Sequence, residues 1–100
     1  MKTTITTENG KSTICIEGRM DTVTAPDFLK DIEPLMNLEK PDIEMDCRKL
    51  EYISSSGLRA LLSLQKSVSA NGGKLVLSGV APAINEVFKI TGFTSIFKII

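Results

Sequence analysis

Between Asp42 and Cys47 the chain alternates without a break: Ile43, Met45 and Cys47 stand against Asp42, Glu44 and Asp46. Successive side chains of a β-strand point to opposite faces, so this pattern predicts a strand with one face buried and the other wet. A strand enclosed between two helix layers is apolar nearly throughout. The alternation therefore narrows the architecture to a sheet covered by helices on one side, with its other face partly open to solvent.

The flanking segments supply the rest of that sheet. A Thr-rich stretch at residues 3–7, centred on Ile5, is followed by Asn9-Gly10 and by residues 13–18, where Ile14 and Ile16 share a face. Asn-Gly favours a two-residue hairpin turn, so the chain opens with an antiparallel hairpin. Thr24-Ala25-Pro26-Asp27 reads as a helix start, with Thr24 as cap, Pro26 in the first turn and Asp27 complementing the dipole. Phe28, Ile32, Leu35 and Met36 form its stripe, and Pro34 either ends the helix near Glu33 or kinks it. A second helix is predicted from about Ser56 to Ala70, striped by Leu58, Leu61, Leu62, Gln65 and Val68. Asn71-Gly72-Gly73 stops it, with Gly72 suited to the left-handed position. A strand at residues 75–78 follows. A helix then begins at Pro82, with Ile84, Val87, Phe88 and Thr91 on one side and Gly92 at its end, and residues 96–99 form a last strand. The order is β-β-α-β-α-β-α-β. Helices between strands argue for parallel pairing through right-handed crossovers, all on one side. The expected fold is α/β: a mixed, mostly parallel sheet with an N-terminal antiparallel hairpin and helices on one face.

Composition excludes several function classes. One hundred residues suit a single domain spanning 1–100. The 12 basic and 12 acidic residues are interspersed, leaving no basic stripe for nucleic acid. No apolar run spans a bilayer, and the N-terminus lacks the apolar stretch of a signal peptide. Cys15 and Cys47 lie within strand patterns and read as reduced core residues of a cytoplasmic protein. There is no histidine. Neither a metal site nor a cofactor is expected: Asp42, Glu44 and Asp46 read as a solvated face, and Gly72-Gly73 precedes a strand, unlike a phosphate loop. Phe93 and Phe97 read as packing residues, since no basic cluster accompanies them.

Chemistry concentrates in Tyr52-Ile53-Ser54-Ser55-Ser56-Gly57-Leu58, between a strand and a helix. Loops beyond the carboxyl ends of parallel strands carry function, which places Asp21 and these serines on one rim. Three readings are open. Ser54 or Ser55 can cap the helix. A serine can act as a nucleophile, but that requires a base, and no histidine exists. A serine can accept a phosphate, which a helix N-terminus tolerates through its unpaired N–H groups and dipole.

With these motifs in hand the chain resembles the bacterial anti-sigma factor antagonists, the single-domain form of the STAS fold. The resemblance covers nearly the whole length. It rests on Gly18-Arg19-Met20-Asp21 followed by Thr24-Ala25-Pro26, on Ile53-Ser54-Ser55-Ser56-Gly57-Leu58, on Gly72-Gly73 before a strand, and on Pro82-Ala83 with Phe88 and Gly92. It implies a β/α superhelix with helices on one side. It also implies a phosphoprotein of bacterial transcription regulation that works by partner switching and is not itself an enzyme. In the family the unphosphorylated antagonist binds an anti-sigma factor that is a serine kinase and so frees the sigma factor. Phosphorylation ends that binding, and a serine phosphatase restores it.

The family motif is Asp-Ser-Ser-Gly-Leu with the second serine modified. That position is Ser56 here, with Ser55 as runner-up; Ser54 replaces the usual Asp and removes a charge from the rim. Asp21, Thr22, Ser54, Ser55, Gly57 and Leu58 are implied as partner-binding residues. The implied partners are the kinase and the phosphatase, with no nucleic acid and no membrane insertion, the chain being a monomer or weak dimer. The alternatives are a STAS module of another signalling or lipid-transport complex with no phosphoswitch, and a nucleotide-binding protein, for which the chain has no phosphate loop with Lys.

Overall fold

Asn9 and Gly10 both have positive φ, 52° and 79°. That is the backbone of a two-residue turn whose twist matches the strands it joins. It links β1 (Lys2–Glu8) to β2 (Lys11–Met20) in an antiparallel pair running from Glu8↔Lys11 to Lys2↔Glu17. The structure, a computed structural model, describes residues 1–100. After the hairpin come α1 (Ala25–Met36), β3 (Asp42–Ile53), α2 (Ser55–Ala70), β4 (Lys74–Ser78), α3 (Pro82–Ile90), a 3₁₀ turn at Phe93–Ser95 and β5 (Lys98–Ile99). The strands lie side by side in chain order, β1-β2-β3-β4-β5, and every pair after the hairpin is parallel.

The core lies entirely between one sheet face and the helices. Ile14 and Ile16 of β2, Ile43, Met45 and Cys47 of β3, and Leu75 and Leu77 of β4 point into it. Phe28 and Ile32 of α1, Leu58, Leu61 and Leu64 of α2, and Ile84 and Phe88 of α3 meet them from the other side. Each such Leu, Ile or Phe contributes about 1.5–3 kcal/mol by leaving water. Phe97 packs on Phe88 and on half-buried Phe93, with ring centroids 5.9 and 5.6 Å apart. The opposite sheet face is polar. Ser78 Oγ donates to Glu44 Oε2 at 2.9 Å, Lys11 reaches Glu44 at 3.3 Å, and Arg48 pairs with Asp46 at 2.7 Å. The expected one-sided α/β sheet is the observed one.

Several local expectations are corrected. The predicted strand at 42–47 continues to Ile53, because two register shifts each give β3 one more residue than β2. They fall between Asp46 and Lys49 and between Leu50 and Tyr52. Buried positions then recur every third residue, at Leu50 and Ile53, where two-residue alternation had ended. Such bulges bend and twist a strand. Cys15 is only half-buried and belongs to the polar face, unlike Cys47. Pro34 stays inside α1, near its C-terminal end, and the helix runs on to Met36. Thr24 makes no side-chain capping bond to α1. The last strand shrinks to Lys98–Ile99, because the chain first makes a 3₁₀ turn that seats Phe93 against Phe97.

Candidate functional site

The rim where β2 and β3 end carries the predicted residues. Met20↔Ile53 is the last paired position of the two strands. One residue later Ser54 N–H donates to Met20 O at 2.8 Å. This bond ties the start of α2 to the loop after β2. Ser54 then turns the chain into α2: its backbone is extended (φ −92°, ψ 175°), its carbonyl accepts from Leu58 N–H at 2.9 Å, and its Oγ accepts from Gly57 N–H at 3.2 Å. Ser54 is thus the N-cap of α2, the role that an Asp fills equally well. Capping uses this one serine. Ser55 is exposed and Ser56 half-buried in the first turn, where the leading N–H groups have no intrahelical acceptor.

Gly57 is buried because the two segments touch at it. A Cβ there would lie 2.8 Å from Ile53 Cγ1, 2.9 Å from Met20 Cγ and 2.9 Å from Met20 O. Leu58 points into the core at 6 % exposure. Both are implied by the resemblance as partner-binding residues, and Leu58 also belongs to the apolar stripe read from the sequence. Their burial makes them the support beneath the rim, while Ser55, Ser56 and the facing loop form what a visitor would meet.

That facing loop is built on Asp21. Asp21 Oδ1 accepts from Val23 N–H and Thr24 N–H, each at 3.0 Å. Thr24 Oγ1 accepts from Asp21 N–H at 2.9 Å and donates to Arg19 O at 2.8 Å. The cap expected from Thr24 is therefore supplied by Asp21, three residues earlier, whose own carbonyl receives Ala25 N–H at 2.8 Å. The Thr24 and Val23 N–H groups, with the Thr24 hydroxyl and the Arg19 charge, hold the Asp21 carboxyl below the ordinary carboxylate range. Held this way, the loop brings Thr22 Oγ1 to 3.3 Å from Ser56 Oγ. Asp21, Thr22, Ser54, Ser55 and Ser56 thus meet on one rim, as sequence reasoning anticipated.

Two features escaped that reasoning. Arg19 and Tyr52 face each other across β2 and β3, with the guanidinium 4.1 Å from the ring centroid. Val23 stands 80 % exposed beside Thr22. The first depended on β3 continuing past Cys47, and no periodic pattern signals that. The second was legible as an apolar residue within a polar loop. An open polar depression of about 480 Å³, lined by Thr6, Glu8, Asn9, Lys11, Thr13 and Asp42, lies by the hairpin turn, at the other end of β2.

Residues 2–100 match the STAS domain family. The chain belongs to that family. This STAS domain is 32 % identical over 99 residues to BtrV of Bordetella bronchiseptica, a candidate anti-sigma factor antagonist, covering 99 % of this chain and 85 % of that one. It is 24 % identical over 94 residues to the anti-sigma-B factor antagonist of Staphylococcus aureus, covering 94 % and 87 %. Its fold is that of the Bacillus anti-sigma factor antagonist SpoIIAA, solved unphosphorylated (TM-score 0.76, 16 % identity, covering 99 % and 87 %) and phosphorylated (TM-score 0.75, 16 % identity, covering 99 % and 91 %). No helix of this STAS domain is long and apolar enough to cross a membrane.

Proposed function

We propose that this STAS domain is an anti-sigma factor antagonist whose unphosphorylated form binds an anti-sigma serine kinase and releases the sigma factor. Phosphorylation of Ser56 ends the binding, and a serine phosphatase reverses it. The observation that supports this most is the placement of the Ser56 hydroxyl: in the first turn of α2, 3.3 Å from Thr22 Oγ1, outside the core and not used in capping. A kinase reaching that oxygen must cover both loops of the rim.

The switch follows from electrostatics. The unmodified rim offers hydroxyls and N–H groups to its partner. Phosphate replaces one hydroxyl with nearly two negative charges and three acceptor oxygens. Enclosing that charge without a partner costs several kcal/mol, and each ~1.4 kcal/mol is tenfold in affinity. The interface is lost while the fold stays as it is, because the phosphate stands at a helix N-terminus, where negative charge is favoured.

The test uses the purified anti-sigma factor kinase of the native host with Mg-ATP. Wild type is expected to take up one phosphate and Ser56→Ala none, while Ser56→Asp binds the kinase at least about tenfold more weakly. Undiminished labelling of Ser56→Ala, with the phosphate on Ser55, moves the site by one residue. Wild-type affinity in Ser56→Asp refutes the electrostatic account.

A further inference from the structure

Resting on the function proposed above, we infer that Asp21 is a positioning residue and that Val23 is the apolar contact the kinase covers when it reaches Ser56. The Asp21 carboxylate already works inside its own loop. One oxygen accepts from Val23 N–H and Thr24 N–H, and the Thr24 hydroxyl lies 3.2 Å from the same atom. The Oδ1 oxygen is thereby committed to the loop, and it dictates where Thr22 and Val23 stand. Thr22 is within hydrogen-bond reach of the phosphoacceptor oxygen, and Val23 follows it in the chain.

Val23 is 80 % exposed, the most exposed large apolar side chain of the molecule. Its β-branched side chain has little rotamer freedom to lose, and its backbone N–H is fixed by Asp21. Burying a preorganised apolar group is how an interface gains affinity at low entropic cost. The occupant is set by distance: an enzyme that closes on Ser56 meets the Thr22–Val23 segment at the same moment.

Phosphorylation of the full chain by the host's purified anti-sigma factor kinase separates the roles. Val23→Asp is expected to raise KM roughly tenfold, as for an interface anchor, with kcat and the unfolding midpoint unchanged. Asp21→Asn keeps an oxygen that accepts both N–H groups and should hold KM near the wild-type value, whereas Asp21→Ala should raise it. Amide hydrogen exchange gives a readout that needs no partner: Val23 and Thr24 should exchange faster in Asp21→Ala but not in Asp21→Asn. Wild-type KM in Val23→Asp, equal losses in Asp21→Asn and Asp21→Ala, or unchanged exchange in Asp21→Ala would each overturn the inference. If wild type itself is neither bound nor phosphorylated, the proposed function fails, and the role of Val23 goes with it.

Discussion

At the scale of single residues, the serine cluster divides its labour. Ser54 caps α2, Ser55 faces solvent, and Ser56 meets Thr22. Ser54→Ala should lower stability by about 1 kcal/mol through the lost cap, while leaving labelling of Ser56, the proposed phosphoacceptor, intact. Gly57→Ala acts on a different quantity. Its Cβ would press on Met20 O, a backbone atom that cannot swing aside, as well as on Ile53 and Met20 side-chain carbons. Overpacking of this kind costs roughly 1–3 kcal/mol. Because it pushes apart the two segments that Ser54 N–H joins to Met20 O, it should also slow phosphorylation of Ser56. Urea unfolding of both variants, alongside their labelling rates, checks the pair. A Gly57→Ala chain that is destabilised yet labelled at the wild-type rate would show that the spacing at Met20 does not govern access to Ser56.

At the scale of elements, β2 and β3 sort their residues by face, and their two cysteines report it. Cys47 sits on the helix side, where burial, then the neighbouring Asp46 charge, pushes its thiol up to about 12. Cys15 is half-buried on the polar side. At pH 8 iodoacetamide is therefore expected to modify Cys15 alone in the native chain and both cysteines in urea, which mass spectrometry will count. Linkage gives a second check. An unfolded thiol ionises near pH ~8.5, so above that value the unfolded state releases a proton that native Cys47 keeps. The stability contributed by Cys47 is complete below about pH 8.5 and is lost as pH rises toward 12. Cys47→Ala should flatten that alkaline decline.

At the scale of the molecule, chain-order strands with helices on one face leave the other face to charged and polar groups. Three carboxyls are held below their ordinary range: Asp21 by the Thr24 N–H and its loop, Glu44 by the Ser78 hydroxyl and then Lys11, Asp46 by Arg48. A depressed carboxyl stabilises above the unfolded pKa, which is about 4 for Asp and Glu, and that contribution disappears as pH falls through the folded value. The urea midpoint should be level near neutrality and decline below about pH 4, the decline being shallower in Asp46→Asn. Because these groups meet solvent, each contributes modestly. The same layout also sets the two ends of β2 apart: the rim with its serines at one, the polar depression beside the hairpin turn at the other.

Local pattern determined the element order, the hairpin at Asn9-Gly10 and the one-sided sheet, because alternation, helical stripes and turn residues are all written in neighbouring positions, whereas the choice of Ser56 and Asp21 came from the resemblance of their motifs to those of the anti-sigma factor antagonists. Tertiary structure decided the rest. The bulges that carry β3 on to Ile53 arise from its register against β2, which no single segment encodes. The exchange of capping roles between Thr24 and Asp21 depends on how the loop folds back on Arg19. The need for glycine at position 57 comes from the approach of Met20 and Ile53. Periodicity tells a chain which way each side chain points, but only the packing of one strand end against another tells it that Thr22 stands beside the Ser56 hydroxyl.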